Sequence, residues 1–242
     1  MNDRQRIRIL PCGDSALTVE LGDAIDPVTN NRVLALDAAV AQGKHAAITE
    51  TVPTYRSLMV HYDCGLTGFA ELAIWIRQLD RDLKVTSKAG VRWRVPVVYG
   101  GSFGEDLNHV AQHHGLSPDE VVARHAAAEY RVYMVGFLPG YTYLGGLDPS
   151  LATPRRAEPR RVTPSGSIAI GGEQASIQCL AAPSGWHLLG RTPARTYHPS
   201  RRPTFLMSAG DSITFYPIPA SKWDVLDRAA QAGETVAERM PL

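Results

Sequence analysis

"SIAIGG" (residues 167–172) and "ASIQCL" (residues 175–180) alternate apolar with small or polar side chains at a period of two, the pattern of short strands with one face in a core. "WHLLG" (186–190) and "TFLMSAGDSITFYPI" (204–218) continue that texture, with prolines and glycines every few residues between the runs. Short strands punctuated in this way predict a closed or sandwiched β domain. Upstream of it, "SPDE" (117–120) is a capping box with proline at the first helical position, which predicts a helix over 121–128. A last helix is expected over 221–230.

The first third reads differently. "RIRIL" (6–10) and "SALTVEL" (15–21) have strand character, and Asp26-Pro27 offers a cap followed by a proline suited to the first turn. Val33, Leu34, Leu36 and Val40 then make an apolar helix face that Gly43 is expected to close. "AAITETV" (46–52) and "SLMVHY" (57–62) follow as strands. Thr67 is expected to cap a second amphipathic helix, with Phe69, Leu72, Ala73, Ile76 and Leu79 at helical spacing. With "VRWRVPVVY" (91–99) coming next, the order matches the split βαβ pattern of a ferredoxin-like sandwich. The expected division is an α+β domain over 1–88 and a β-barrel domain over 89–242.

At 242 residues and 44% hydrophobic content the chain can bury a real core. Its formal charge of +1 excludes the global basic bias of most nucleic-acid binders. Locally the balance fails: residues 155–202 hold eight arginines against Glu158 and Glu173. Three widely spaced cysteines, Cys12, Cys64 and Cys179, suggest neither a disulfide framework nor a zinc knuckle. A reducing cytoplasm suits them, and no uncharged run approaches membrane-spanning length.

Several chemistries are missing their signatures: the G-x-x-x-x-G-K-[ST] phosphate loop, G-x-G-x-x-G after a strand, and the G-x-S-x-G nucleophile elbow. His109 and His113 are four apart in "HVAQHH" but lack the glutamate of a metalloprotease helix, so they read as surface histidines. The glycine-rich turn in "VVYGGSFGEDL" (97–107) is either an anion-holding set of backbone amides or an ordinary strand-to-helix connection. Tyr99 beside it is core or wall. His125, on the helix after the capping box, and His187 beside Trp186 are packed, exposed or cleft-lining histidines.

"MVGFLPGYTYLGG" (134–146) concentrates glycines and aromatics. Phe137, Tyr141 and Tyr143 alternate as strand residues do, Pro139 removes a ladder donor, and Gly140 frees the backbone. Tyrosines buried at the ring and wet at the hydroxyl suit a domain seam or a ligand cleft, and composition leaves both open. Guanidinium groups match carboxylate and phosphate oxygens two bonds at a time. Among the eight arginines, Arg160, Arg161 and Arg191 are therefore the candidates for a working cation, against the plainer alternative that arginine is simply this chain's usual cation.

"TVPTYRSLMVHYD", "VPVVYGGSFGEDL", "YMVGFLPGYTYLGGLDPSLATPR", "VTPSGSIAIGG" and "APSGWHLLGRTP", in that order, resemble the B subunit of the bacterial ATP-dependent 5-oxoprolinase. That family includes proteins called allophanate hydrolase subunit 1 and the KipI inhibitor of a sporulation histidine kinase. The resemblance implies a ferredoxin-like α+β domain joined to a cyclophilin-like β-barrel. It also implies a direct complex with the C subunit of 5-oxoprolinase, cooperation with its A subunit, and ATP, with Mg, used by the complex rather than held tightly by this chain. The implied reaction opens the lactam of 5-oxo-L-proline to L-glutamate, with no role for nucleic acid or membrane. Kinase inhibition and half of a biotin-dependent carboxyltransferase are the alternatives, although none of Lys44, Lys84, Lys88 and Lys222 is flanked by methionine as in a biotin-attachment site. Two departures stand out: Ser165 and His187 occupy places where family members commonly read alanine and glutamine. On this reading Arg191, His125 and Arg160 are the catalytic candidates. Tyr99, Phe137, Pro139, Gly140, Tyr141, Tyr143, Gln174 and Trp186 are expected to form the wall for a small carboxylate.

Overall fold

The computed structural model describes residues 7–85 and 90–241. It divides into two compact units, Met1–Lys88 and Ala89–Leu242; the boundary expected from sequence falls among residues 86–89, outside the described residues.

The first unit is a four-stranded antiparallel sheet with two helices. Its strands are β1 (Arg8–Pro11), β2 (Ala16–Glu20), β3 (Ile48–Pro53) and β4 (Ser57–Tyr62), in the order β1-β2-β4-β3. Helix α1 (Pro27–Gly43) joins β2 to β3, and α2 (Phe69–Asp82) follows β4. Because β4 pairs antiparallel with both β2 and β3, those two run parallel on either side of it, which is the split βαβ arrangement. One expectation is corrected. "VRWRVPVVY" does not complete this sheet, and the outer place beside β2 goes to β1, which reaches it by a short hairpin.

Both helix starts were open to sequence reading, with different outcomes. Asp26 caps α1, accepting from the Thr29 amide at 2.9 Å, and Pro27 sits in the first turn. At the other end the helix runs through Gly43, and the left-handed closing residue is Lys44. Gly43 is required for a different reason: a Cβ there would lie 2.6 Å from the Trp75 ring. Thr67 does not cap α2; its hydroxyl donates to Glu71, and Gly68 holds the cap position without a side-chain bond. Val33, Leu36 and Val40 of α1 meet Leu72, Ala73 and Ile76 of α2 in one core with Leu17, Val19, Leu58 and Val60.

The second unit is a closed barrel of seven strands. They are β5 (Arg92–Tyr99), β6 (Tyr130–Val135), β7 (Thr142–Gly145), β9 (Ser167–Gly171), β10 (Gln174–Gln178), β12 (His187–Arg191) and β13 (Ser212–Pro217). The ring runs β12-β9-β10-β7-β6-β13-β5 and closes through a short antiparallel pairing of β12 with β5. β13 lies parallel to β5, and β14 (Glu238–Met240) pairs with the first residues of β5. A two-stranded ribbon of β8 (Arg160–Thr163) and β11 (Ala182–Ser184) stands apart from the ring.

Alternate residues of each strand point inward: Val95 and Val97, Tyr130 and Val132, Ile168 and Ile170, Ala175 and Ile177, Ile213 and Phe215 share one core. Helices α3 (Leu107–His114) and α4 (Pro118–Ala127) add Leu107, Val110, Ala111 and Val121 to it. Ser117 forms the expected capping box with Glu120. The last helix, α5 (Trp223–Gln231), starts two residues later than expected because residues 220–222 form a 3-10 turn.

Three amides of the glycine-rich turn after β5 bond back to the chain itself. Gly100 donates to the Leu189 carbonyl at 3.0 Å, and Phe103 and Gly104 donate to Gly100 at 3.0 Å. The turn is drawn tight against β12: a Cβ on Gly104 would lie 2.0 Å from the Leu189 carbonyl oxygen. Gly104→Ala is therefore expected to lower the unfolding free energy by about 2 kcal/mol, because backbone must move to admit the methyl. A urea melt of the purified chain measures it, and an unchanged midpoint would show that the turn yields freely.

Candidate functional site

Cross-strand neighbours share a face of a sheet. On the outer face of the barrel Tyr143 of β7 lies opposite Ser176 of β10, Ser176 opposite Ala169 of β9, and Ala169 opposite Leu188 of β12. Small residues at 169 and 176 leave room for rings above them. Trp186 fills part of it, packing on Ala169 and Leu188 and lying so close to Gly171 that a Cβ there would be 2.8 Å from the indole.

The rings then continue as a chain. Trp186 meets Tyr143 edge-on at 6.2 Å between centroids, Tyr143 meets Tyr141 at 4.7 Å, and Tyr141 meets Phe137 edge-on at 5.5 Å. Phe137 is 66% exposed and holds a left-handed backbone with φ +68°, rare outside glycine. The loop carrying it is held from below by Gly140, whose carbonyl accepts from the Thr196 hydroxyl at 2.6 Å and whose Cα faces Tyr197. Pro139 is exposed in the same loop, and Gln174 opens β10 opposite Gly171, next to the indole.

Burial pushes the Tyr141 hydroxyl up to about 12, and the Tyr143 hydroxyl also rises, against the opposing pull of Arg155 on both. Both are neutral phenols, able to donate. The fully buried Ser176 hydroxyl lies close to that of Tyr141 without a well-formed hydrogen bond. Arg155 sits over the Trp186 ring at 5.6 Å and makes no ion pair among the described residues. The cluster thus brings together a buried indole (Trp186), a buried and a half-buried phenol (Tyr141 and Tyr143), an exposed phenyl ring (Phe137) and the exposed cation of Arg155.

The arginines read from sequence as one positive island are dispersed. Arg156 and Arg160 both bind the buried Asp106, at 2.9 Å and at 2.7 and 2.8 Å. The Leu188 amide adds a further bond to that carboxylate at 2.8 Å. Burial alone would raise the Asp106 carboxyl, but the Arg160 and Leu188 bonds and the two guanidinium charges outweigh it and hold it below the usual carboxylate range. Arg191 donates twice to the Ser165 carbonyl, at 3.1 and 2.9 Å, and stacks on Trp223 at 4.7 Å. Arg195 reaches Asp227 and the Ser165 hydroxyl. Arg160 and Arg191 are therefore not brought onto the aromatic cluster, and Arg155, left out of the sequence candidates, is.

Tyr99 and His125 form a separate pair. The Tyr99 hydroxyl and His125 Nδ1 are 2.8 Å apart, and the imidazole stacks on Phe215 at 4.9 Å, fully buried. Desolvation lowers the His125 pKa to about 3 and raises that of Tyr99 well above its ordinary value, so both are neutral core groups. His109 and His113 stack at 6.4 Å on the surface of α3, and no group of three ligand-type side chains is placed to hold a metal among the described residues.

Sequence reasoning missed Arg155, Ser176 and Asp106. Only Arg155 left a signal, as the first cation after the aromatic stretch; the other two acquire meaning from strands and loops that meet across the fold.

A ferredoxin-like unit followed by a closed barrel with this outer-face cluster is a carboxyltransferase-type arrangement, and residues 7–207 match the family described as carboxyltransferase domain, subdomain C and D. The chain is 34% identical to the 5-oxoprolinase B subunit of Bacillus subtilis, over 88% of this chain and 93% of that one. The crystal structure of TTHA0988 matches with a TM-score of 0.76 and 32% identity, over 86% of this chain; the chain spans 40% of that longer protein. The Kluyveromyces lactis urea carboxylase shares the fold, with a TM-score of 0.81 at 18% identity, over 97% of this chain and 24% of that one. The chain belongs to the family of 5-oxoprolinase B subunits.

Proposed function

We propose that this chain is the B subunit of an ATP-dependent 5-oxoprolinase, opening the lactam of 5-oxo-L-proline to L-glutamate together with the A and C subunits, with the C subunit as its direct partner in a reducing cytoplasm. The observation that carries the reading is the meeting of Phe137, Tyr141, Tyr143 and Trp186 with the available guanidinium of Arg155 on one barrel face. A small cyclic acid needs those parts: flat walls for the ring, donors for the amide oxygen, and a cation for the carboxylate.

An unstrained lactam also needs activation, and phosphorylation of its oxygen by ATP makes the ring carbon open to water. The sequence carries no G-x-x-x-x-G-K-[ST] phosphate loop of its own, which is the motif ground for looking beyond this chain for Mg-ATP. Nucleotide binding is assigned to the assembled complex.

The test is reconstitution. Combined with the A and C subunits, the chain is expected to support ATP-dependent glutamate release from 5-oxoproline; full activity of those two without it would remove the reading. In the reconstituted enzyme Arg155→Ala is expected to raise KM for 5-oxoproline by roughly tenfold to a hundredfold, the loss of one charge-assisted contact of about 1.5–3 kcal/mol. Because Arg155 is exposed and has no ion-pair partner among the described residues, the variant's melting curve is expected to match the wild type.

A further inference from the structure

Arg155 rides on a strap, residues 153–160, and the strap is tied down on both sides of it. On one side Gly172 donates to the Thr153 carbonyl at 2.7 Å, and on the other the Arg156 amide donates to Gly185 at 2.8 Å. The tie adjoining Arg155 is different in kind. The Pro154 carbonyl takes its hydrogen bond from a side chain, His187 Nε2, at 2.9 Å. A carbonyl only accepts, so Nε2 carries the proton and Nδ1 carries the lone pair. That Nδ1 is buried and has no partner.

The surroundings leave no place for a second proton. His187 is 4% exposed and its ring stacks on His109 at 5.1 Å and 18°. The charged and titratable groups facing it are Asp106, Arg156 and His109. The Asp106 oxygens, the one favourable partner for an imidazolium, are already taken by Arg156, Arg160 and the Leu188 amide. A proton on Nδ1 would find no acceptor and would add charge beside His109 and Arg156. Burial is the largest influence on this imidazole and lowers its pKa; the Pro154 bond and Asp106 oppose that, His109 and Arg156 add to it, and the net direction is down. For a histidine lowered in the folded state, the stabilisation is complete above the unfolded pKa and is lost as pH falls below it.

We infer that His187 is a positioning residue that holds the Arg155 strap against the aromatic cluster only while its imidazole is neutral, so that capture of a small carboxylate at this site weakens on acidification. The carboxylate part rests on the function proposed above; the strap part does not.

The variant that separates the two roles is His187→Gln, whose amide can donate to the Pro154 carbonyl but does not titrate. Hydrogen exchange over residues 153–160 is followed in the chain alone at about pH 7.5 and about pH 5.5, corrected for intrinsic rates. The wild type is expected to lose protection several-fold at the lower pH, His187→Gln to hold its protection at both, and His187→Leu to be unprotected at both. A His187→Gln strap as pH-sensitive as the wild type, or a His187→Leu strap as protected, would overturn the inference. In the reconstituted enzyme the same acid step is expected to raise KM for 5-oxoproline more than it lowers kcat, and this KM rise is expected to vanish in His187→Gln. The exchange pattern without 5-oxoprolinase turnover would uphold the strap and overturn the substrate alone.

Discussion

Acidification is expected to unfold the barrel unit through His125, and His125→Phe is expected to flatten that dependence. The imidazole is fully buried, stacks on Phe215, and has its Nε2 without a partner. Its pKa falls from 6.5 to about 3 because burial disfavours the charged form. The sign follows directly. Between those two values the unfolded chain binds a proton that the native state refuses, so stability is complete above about pH 6.5 and declines as pH drops toward 3. Charging the group in place would cost on the order of 5 kcal/mol, at about 1.4 kcal/mol for each unit. Urea midpoints collected from about pH 7.5 down to about pH 4 give the slope. A His125→Phe variant that follows the wild-type slope would show that other groups set it.

Replacing Asp106 with alanine is expected to lower the unfolding free energy by about 3 kcal/mol, the lower range for removing one member of a buried ion pair. The carboxylate is 4% exposed and takes four bonds, from Arg156, twice from Arg160, and from the Leu188 amide. Its removal takes the acid partner from Arg156, leaves Arg160 with only its contact to Glu105 at 3.3 Å among the described residues, and strands the buried Leu188 amide. Arg160→Ala is expected to cost less, since Arg156 still neutralises the acid. The carboxyl is held below its usual range, so its contribution is present above the unfolded pKa and is lost as pH falls through the lower native value. An Asp106→Ala chain that melts with the wild type would mean that water replaces all of these bonds.

Both residues illustrate where the sequence stops being readable. The alternation in "SIAIGG" and "ASIQCL" predicts inward and outward faces because it is a local property, and Ile168, Ile170, Ala175 and Ile177 point into the core as that pattern requires. The capping box at Ser117 is likewise local. Which sheet a strand joins is not. "VRWRVPVVY" has the same texture whether it completes the first sheet or founds the barrel, and β1 takes its place through pairing with β2. Nor does spacing reveal that Asp106 answers Arg156 and Arg160, fifty and fifty-four residues later, which dissolves the positive island into separate pairs. The aromatic stretch was legible as a cluster of rings because its residues are neighbours in sequence; the cation beside it comes from the segment before β8 and the serine beneath it from β10. His125 could be placed on a helix, but its burial depends on Phe215, ninety residues away.

The order of strands around the ring has a bearing on how the chain matures. β13 lies between β5 and β6, and the opposite side of β5 is met by β14 at its start and by a brief contact with β12 at its end, the latter closing the ring. The family match ends at residue 207, before β13 begins at Ser212. A polypeptide cut to the matched length would carry two raw edges facing an empty slot, and a nascent chain on the ribosome stays in that condition until Ser212–Pro217 emerges.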